Sequence, residues 1–584
     1  MAYGSALLGG GLVAMLLMNF TRWGRQFKQL AVPYFSPQQS WRPLLAVALL
    51  LFLALFAVRL SVLFSNWSKM FYDSLQDKNQ EAFWMAIVLF LTLAVIYIGR
   101  ELISFYVQQA FEIHWRTWSN EVLLQDWFSG AAYYRGQFLP EPVDNPDQRV
   151  QVDIDEFVRF SVSLAVGMVR SLVSLVEFTA MLWVLSGPLS LMGKEIPHGM
   201  VFMVYLYVLA ASVLAFKIGR PLIRLNFLAE KLSANFRYAL VRLREYSESI
   251  AFFRGEAVEQ AVLSSRFQAL IANFWALVYR NLFFQGFNFT VGQAAVIFPY
   301  VIQAKRYFDG EIKLGDVMQT GSAFREVEDA LSFFLRAYDD FAKYRAVLDR
   351  LTSFVEANGQ ARHLPRIKTF ESTALVLQNV QITGPDREPL LEGLEFSLQA
   401  GEALLIKGPS GSGKTTLLRS LAGLWPFVAG QMGRPLGSQA LFLSQKPYLP
   451  LGTFRASLTY PAPDASTPSL LEALHKVQLS HLADRLDQEA DWSRILSLGE
   501  QQRLAFARVL INRPAIVFLD EATSAMDEGL EHALYRLLQT ELPDCIVVSV
   551  GHRSTLAQFH PHSLEILGGA KAGQWRWSSI HPLP

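Results

Sequence analysis

The sequence is poor in cysteine, in charge and in repeated or low-complexity stretches. Its single cysteine, Cys545, excludes an intramolecular disulfide framework and fits a reducing cytosol for the domain that holds it. Only 18% of the 584 residues are charged, whereas soluble proteins carry about 25%. The net charge of +1 creates no global field that would favour nucleic acid. The length of 584 residues predicts two large domains, and the 52% of hydrophobic residues indicates that lipid is part of the solvent.

Six apolar segments in the first half of the chain have about the length, roughly 20 residues, that crosses a hydrocarbon core. Two of them are weaker, because one contains amides and a proline and the last contains charges. The sequence predicts a transmembrane domain over 43–340 with six helices, and both chain ends on one side. The predicted spans are 43–66, 82–106, 161–186, 199–219, 282–303 and 315–337.

The connections between these segments predict their orientation. The long 220–280 connection contains nine Lys and Arg side chains, whereas the short 187–198 connection contains only Lys194. Basic connections stay in the cytosol, so 220–280 is placed there. The connection at 304–314 is also basic but is placed outside, because an even number of spans requires it. It is a local exception to the rule that basic connections stay in the cytosol.

Residues 1–42 are interpreted as an interfacial, elbow-like segment. The apolar run Ala6 to Phe20 has no preceding positive charge, which argues against a signal peptide, and it is short for a span. Aromatic residues from Phe20 to Tyr34 then recur at helical spacing opposite basic residues, which favours a helix on the inner leaflet. A partial extra span and disorder are the alternatives.

Polar side chains recur at three- or four-residue intervals in three of the predicted spans. Charges at membrane depth nearly always face a protein interior or a watery cavity. Two compatible interpretations stay open: interhelical salt bridges, or a hydrophilic translocation cavity that suits a hydrophilic or cationic solute better than a bare lipid. The cavity candidates are Arg170, Glu177, Gln285, Asn288, Gln319, Glu326, Asp329 and Arg336.

The second half of the chain alternates short apolar runs with helical stretches. A mixed, polar region over 341–370, broken by Gly359 and Pro365, is predicted to be a linker. Runs such as Ala403–Ile406 and Ile546–Val550 then predict strands, and their alternation with helices predicts an α/β nucleotide-binding domain over 371–584.

This domain contains a phosphate-binding loop near its start. Gly408 to Thr415 reads GPSGSGKT, follows an apolar strand and opens a helix, so that backbone N–H groups can hold phosphates. Lys414 would neutralise the β- and γ-phosphates, and Thr415 would hold Mg²⁺. A chance match is the competing interpretation, and the strand-loop-helix context argues against it.

A second motif supports the same chemistry. Four apolar strand residues, Ile516 to Leu519, end in Asp520 and Glu521. Asp520 would bind Mg²⁺ and Glu521 would orient or deprotonate the attacking water. Adjacent acids after a strand also serve as helix caps, but the phosphate loop makes that interpretation the weaker one.

With these motifs the chain resembles the ATP-binding cassette (ABC) transporters over nearly all of its length. Leu496 to Arg503 resembles the signature sequence, Gln445 the Q-loop glutamine, Ser524 to Asp527 the D-loop, and His552 the switch histidine. The resemblance implies Glu521, His552 and Gln445 as catalytic residues and Thr415, Gln445 and Asp520 as Mg²⁺ ligands. The ATP-binding residues it implies are Gly408, Pro409, Ser410, Gly411, Ser412, Gly413, Lys414, Thr415, Thr416, Ser497, Gly499, Glu500 and Asp527.

Three departures from the family pattern affect the nucleotide site. Leu498 replaces a signature glycine and Glu500 the more frequent glutamine, yet Ser497 and Gly499 remain. No aromatic residue occupies the expected adenine-stacking position near Gly384–Pro385, so base selectivity should be loose and both ATP and GTP stay open as substrates.

Only one cassette is present, and in this family each ATP lies between the phosphate loop of one cassette and the signature of another. The resemblance therefore implies a homodimer, the symmetry most often seen in oligomers. A different half-transporter is the alternative partner.

Three further stretches narrow the resemblance. Glu248–Glu256, Asn145–Arg149 and Gly423–Pro426 resemble the peroxisomal fatty-acyl transporters and their bacterial relatives. The layout is most similar to the SbmA/BacA-related transporters that carry their own cassette, a group that includes YddA-type proteins and the mycobacterial cobalamin importer. Asn145–Arg149 also becomes a candidate contact with the cassette.

This resemblance implies an exporter-like fold of six transmembrane helices followed by an α/β P-loop cassette in the bacterial cytoplasm. The expected activity is ATP-driven import of a hydrophilic, cobalamin- or peptide-like solute across the inner membrane. An exporter of acyl chains or lipids is the alternative within transport. A non-transport cassette ATPase, which would be wholly soluble, is the alternative outside it.

Overall fold

The computed structural model describes residues 19–37, 40–187, 189–191, 194–196, 198–435, 440–462, 465–568 and 573–579. The chain divides into two compact units. The first, here the membrane unit, comprises Met1–Leu124 and Asn145–Phe354. The second, the nucleotide unit, comprises Gln125–Asp144 and Val355–Pro584.

Long helices build most of the membrane unit. They are α1 (Arg22–Ala31), α2 (Arg42–Gln76), α3 (Gln80–Phe128), α4 (Ile154–Leu185), α5 (Gly199–Glu245), α6 (Glu256–Phe308) and α7 (Leu314–His363). Shorter turns occur at Pro146–Gln148 and Ser247–Phe253, and a two-stranded hairpin joins Leu189–Leu191 to Lys194–Ile196.

Five of these helices are long and apolar enough to cross a membrane, within the part of the chain that the structure describes. They contain the first five predicted spans. The sixth predicted span, 315–337, lies within α7, whose described residues give no sufficiently apolar and uncharged stretch. The predicted count of six is therefore not confirmed. The segment 315–337 carries more charged residues than the apolar stretches of the other five helices.

The apolar core of the membrane unit joins α2, α4, α5, α6 and α7. Val58 and Val62 of α2 pack in one cluster with Phe178 of α4 and with Phe324 and Val327 of α7. Phe178 and Val327 are completely buried. The middle of α7 is thus packed among apolar side chains despite its charges.

The basic 220–280 region is helical over most of its length. Helices α5 and α6 run antiparallel through it: Asn273 Nδ2 donates to the Leu225 carbonyl at 3.0 Å and Arg280 to the Ile218 carbonyl. The turn between the two helices exposes Phe252 and Phe253, which are 80% and 86% accessible.

The amino-terminal helix α1 packs on aromatic side chains of the membrane unit. Trp23 meets Phe341 edge-on with ring centroids 5.1 Å apart, and Tyr34, just beyond the helix, stacks on Trp115 at 5.5 Å. Part of the predicted aromatic face is therefore covered by protein. Of the apolar run 6–20, all but the last two residues lie outside the described residues.

Two sheets form the centre of the nucleotide unit. The strands are β1 (Lys368–Glu371), β2 (Leu375–Thr383), β3 (Pro389–Leu398), β4 (Ala403–Lys407), β5 (Val428–Arg434), β6 (Ala440–Leu443), β7 (Ile516–Asp520), β8 (Ile546–Val550), β9 (His562–Ile566) and β10 (Trp575–Ser579). The larger sheet has the order β10-β9-β4-β8-β7-β6, parallel except for β10, and the smaller has the order β1-β5-β2-β3. A short pair joins Gly452–Thr453 to Glu489–Ala490.

Alternating side chains of the large sheet fill two apolar cores. Val517 and Leu519 of β7 face one core, whereas Ile516 and Phe518 face the other. The helices of this unit are α8 (Lys414–Leu421), α9 (Phe454–Thr459), α10 (Thr467–Lys476), α11 (Leu498–Asn512) and α12 (Glu528–Glu541), with single turns at Ala132–Arg135 and Trp492–Ile495. Both faces of the parallel sheet are covered, which confirms the predicted α/β class.

The division of the chain differs from the predicted domain bounds in one respect. Residues 125–144, predicted within the transmembrane domain, group with the nucleotide unit. The buried Arg135 guanidinium holds them there by donating to four carbonyls, those of Ala361, Leu364, Pro365 and Gly423, at 2.6–3.1 Å. The predicted linker 341–370 is helical as far as His363, because Gly359 is accommodated inside α7.

Candidate nucleotide site

The glycine-rich loop connects β4 to α8, as its sequence predicts. Gly408 has φ +152°, and a Cβ there would lie 2.6 Å from the Ile566 carbonyl oxygen. Gly413 has φ +96° and directly precedes the first turn of α8. Both positions need glycine, and the resulting loop presents its backbone before a helix N-terminus, where phosphate binds readily.

Polar groups of the loop are arranged for an anion. The Lys414 ammonium donates to the carbonyls of Gly408 and Pro409 at 2.9 and 2.8 Å, so it is folded over the loop. The Ser412 hydroxyl is buried without a hydrogen-bond partner among the described residues. Ser410 is exposed, and Thr416 lies in the first turn of α8. These groups fit a bound triphosphate.

Asp520 is the last residue of β7, beside this loop, and Glu521 follows it. The Thr415 hydroxyl hydrogen-bonds to Asp520, and burial raises the pKa of the Asp520 carboxyl above its usual value. Glu521 has φ +50°, a left-handed conformation that a residue other than glycine seldom adopts, and its N–H donates to the Val550 carbonyl at 3.1 Å. Its carboxylate lies 3.4 Å from Nε2 of His552, which follows β8.

The remaining predicted site residues lie on loops after the strands or at the start of α11. Gln445 is exposed two residues beyond the end of β6. Asp527 is exposed and caps α12, since its carboxylate accepts from the Leu530 N–H at 2.8 Å. Among the described residues, no group of three or more His, Cys, Asp and Glu side chains is placed to hold a metal ion. A Mg²⁺ site would therefore depend on Thr415, Asp520 and Gln445 together with oxygens of the nucleotide itself.

The signature residues begin α11, where Glu500 has a structural function. Ser497 is the N-cap, and its N–H and hydroxyl donate to the Glu500 carboxylate at 2.9 and 2.7 Å. Burial acts to raise the pKa of Glu500, but the hydrogen bonds from Ser497 and from His481, whose ring lies 3.1 Å away, lower it below its usual value. The ionised Glu500 thus replaces the frequent glutamine as a capping partner. No sequence pattern indicates His481.

The expected base-stacking position is a tight turn. The Gly384 N–H donates to the Glu388 carbonyl at 2.8 Å, and Pro385 is exposed. The nearby Trp425 is buried and donates its indole N–H to the Thr383 carbonyl at 2.9 Å. Its ring is therefore part of the core.

Some of the predicted cavity residues come together in the membrane unit. Glu326 of α7 accepts hydrogen bonds from Ser61 of α2 and Ser174 of α4, and Arg170 and Asp329 are near enough to act on it electrostatically. The others are separate. Gln319 is buried against Asn66 at 2.8 Å, Gln285 is exposed, Glu177 and Asn288 are half-buried, and the side chain of Arg336 lies outside the described residues.

Comparison with known proteins is consistent with this geometry over both units. Residues 30–308 match the family description "ABC transporter transmembrane region 2", and residues 391–524 match "ABC transporter". An ABC transporter ATP-binding protein of Haemophilus influenzae is 47% identical over 564 residues, which cover 96% of this chain and 95% of the relative. The chain belongs to the ABC transporter family.

Two other relatives have more informative names. The inner membrane ABC transporter ATP-binding protein YddA of Escherichia coli is 32% identical over 90% of this chain and 94% of its own. The human lysosomal cobalamin transporter ABCD4 is 29% identical over 99% and 100%.

As an ABC transporter, the chain is a multi-pass membrane protein with an ATP-binding cassette that hydrolyses ATP to drive transport. The alternative of a wholly soluble cassette ATPase was wrong, since the chain has five candidate spans and a matched transmembrane region.

Proposed function

We propose that two copies of this chain form an inner-membrane importer of hydrophilic solutes, of the cobalamin-like or peptide-like class, with the cassettes in the cytoplasm. The observation that carries the choice of solute is the polar group around Glu326, which joins three helices of the membrane unit with Ser61, Ser174 and Arg170. Charged groups at this depth favour a watery path over a lipid-facing surface. The names of the YddA and cobalamin-transporter relatives, and the resemblance to the SbmA/BacA-related group, support the same class.

In this proposal α7 supplies the sixth span. Glu326 would then face the interior of the bundle, because it accepts hydrogen bonds from Ser61 of α2 and Ser174 of α4. Six spans keep both ends of the chain on the cytosolic side, as the basic residues of 220–280 favour.

A second copy of the chain completes the nucleotide site. Ser497 and Asp527 are exposed on the nucleotide unit although they are members of the ATP site. The exposed pair Phe252 and Phe253 is likewise an apolar surface that a second copy would cover. The motif residues of both halves of the site are present, so nothing in the chain requires a different partner.

The residues at the phosphate loop have complementary roles in the proposed reaction. Lys414 and the backbone N–H groups of the loop bind the phosphates, and Glu521 orients the attacking water while His552 holds the Glu521 carboxylate. Gln445 contacts the nucleotide from its loop. Thr415, Asp520 and Gln445 are the side chains that would hold Mg²⁺ bound with ATP, and the ion would supply positive charge to the phosphates.

Transport in proteoliposomes tests the direction and the solute. Only copies whose cassette faces outward meet added ATP, so import corresponds to loss of labelled cobalamin or cationic peptide from the lumen, and export to its accumulation. We expect ATP-dependent loss from the lumen, and expect Glu326→Gln to impair it while ATP hydrolysis persists. Glu245→Gln, an exposed change at the end of α5, is the control. ATP-dependent accumulation of either solute, or of a labelled acyl lipid alone, would overturn the import assignment in favour of an exporter.

A further inference from the structure

Gln502 occupies the second turn of α11 and is completely buried. It lies three residues after Gly499, on the helix that Ser497 caps. A glutamine that is fully removed from water requires hydrogen-bond partners for its amide, since an unpaired buried amide is costly.

The Gln502 amide bonds three groups from two distant loops. Its nitrogen donates to the Gln445 carbonyl at 2.8 Å and to the Ser524 hydroxyl at 3.2 Å. Its oxygen accepts from the Ala525 N–H at 3.1 Å. Because the Gln445 carbonyl can only accept and the Ala525 N–H can only donate, these bonds determine which way the amide points.

The bonded loops belong to the catalytic part of the nucleotide unit. Gln445 is a candidate ligand of the nucleotide. Ser524 and Ala525 lie between Glu521 and Asp527, and the Ser524 N–H donates to the Glu521 carbonyl at 3.0 Å. One side chain thus connects the loop after β6 and the loop after β7.

The signature residues at the start of α11 also pack against the Ser524–Asp527 loop. A Cβ on Gly499 would lie 3.2 Å from the Ala525 carbonyl oxygen, so the first turn of α11 packs closely on the loop that Gln502 holds. The neighbouring Gln501 is different. It is also buried, but the hydrogen bonds it donates in the described part of the chain go to the Ser493 and Leu496 carbonyls just before α11.

We propose that Gln502 is a positioning residue that makes the Gln445 loop, the loop Ser524–Asp527 and the signature move as one piece. The inference rests on the proposed pairing of two copies, in which a signature faces the nucleotide held by the partner. A change at one nucleotide, sensed at Gln445 and Glu521, is then passed through Gln502 to the signature that serves the other nucleotide. Gln502 couples the two ATP sites.

Two substitutions remove different sets of the hydrogen bonds that Gln502 makes. Gln502→Glu keeps the size of the side chain and an oxygen for the Ala525 N–H, but places a second acceptor opposite the Gln445 carbonyl. Gln502→Met keeps the approximate volume and removes all three hydrogen bonds. Asn512→Ala on the same helix is the matched control, because among the described residues Asn512 donates to the Thr459 and Arg508 carbonyls and to no others.

The experiment measures ATP hydrolysis by the full-length protein in lipid nanodiscs as a function of ATP concentration. Two coupled sites allow a Hill coefficient of up to about 2. We expect wild type and Asn512→Ala to exceed 1, and both Gln502 variants to fall to about 1 with kcat lowered about tenfold and KM for ATP changed less than about threefold. Thermal unfolding of each variant is measured in parallel. Loss of buried hydrogen bonds should lower the midpoints of the Gln502 variants by several degrees, so hydrolysis is measured at a temperature at which every variant is folded.

Three results would overturn the inference. They are a wild-type Hill coefficient of 1, a coefficient unchanged in both Gln502 variants, or a loss of kcat that follows a lowered unfolding midpoint and disappears on cooling. The mass of the particle in the nanodisc tests the pairing itself, and solute transport is not part of the readout. Failure of the import proposal therefore leaves this result interpretable.

Discussion

Glu521 and His552 follow the ends of neighbouring strands and meet at 3.4 Å between a carboxylate oxygen and Nε2. They are 31 residues apart in sequence, and the parallel pairing of β7 with β8 brings the ends of those strands together. The left-handed backbone of Glu521, at φ +50°, directs its side chain from the end of β7 in a conformation that the surrounding sheet must stabilise. Strain of this kind is typical of a functional position.

Replacing Glu521 by Gln should abolish turnover and spare binding. The amide keeps the shape of the side chain but cannot accept a proton from water, so we expect kcat to fall at least about 100-fold. ATP binding, measured with a fluorescent analogue, should stay within about threefold of wild type. Glu528→Gln, an exposed change in the first turn of α12, is the control. Near-normal hydrolysis by Glu521→Gln would remove Glu521 from the reaction.

Removing the buried Arg135 should destabilise the nucleotide unit. Its guanidinium satisfies four carbonyls, and Arg135→Met would leave them without these donors, at a cost of about 3 kcal/mol in the free energy of unfolding. The exposed Arg366 donates to Gly130 of the same segment, so Arg366→Ala should cost less than about 1 kcal/mol. Thermal unfolding and limited proteolysis of 125–144 measure both. Equal effects of the two changes would show that burial of Arg135 is unimportant.

The contrast between Arg135 and the phosphate loop shows what the sequence could and could not predict. Gly408 to Thr415 is a contiguous motif whose spacing alone implies its backbone, and the apolar strands before it were equally readable. Arg135 donates to Gly423, 288 residues away, and no local pattern indicates that pair. For the same reason the assignment of 125–144 to the nucleotide unit was missed. Five of the predicted spans were located, but the helical continuation of α5 and α6 through 220–280 was not, since those parts of the two helices are polar.

The buried His560 should make stability depend on pH. Burial, assisted by the charge of Lys407, lowers the pKa of His560 to about 4 although its bond to the Leu556 carbonyl opposes this. Between the unfolded pKa of about 6.5 and the folded value, the unfolded chain binds the extra proton, so stability falls as pH falls. The loss between pH 7 and pH 5 amounts to about 2 kcal/mol.

Thermal unfolding across that pH range tests the His560 prediction. His560→Asn should be less stable at pH 7, because the bond to the Ser549 hydroxyl at 2.8 Å is lost, yet its unfolding midpoint should depend less on pH. His475→Asn, at an exposed position on α10, should leave the wild-type dependence unchanged. A wild-type slope that persists in His560→Asn would assign the pH dependence to another group.

A site shared between two copies should be detectable by crosslinking between them. Ser410 and Ser497 are both exposed, and in the proposed dimer each Ser410 faces the Ser497 of the partner across a nucleotide.

The buried Cys545 is first replaced by Ser, so that Ser410→Cys in one tagged copy and Ser497→Cys in the other provide the only thiols. Both copies also carry Glu521→Gln, which prevents turnover. With ATP present, a short bismaleimide should crosslink the Ser410→Cys copy to the Ser497→Cys copy. It should not crosslink two Ser410→Cys copies or two Ser497→Cys copies. The control pair has Ser410→Cys in one copy and Glu565→Cys, at an exposed position on β9, in the other. This pair should not crosslink. Absence of joining between the two tags under every nucleotide condition would contradict the composite site, because each signature would then have to act without a second phosphate loop.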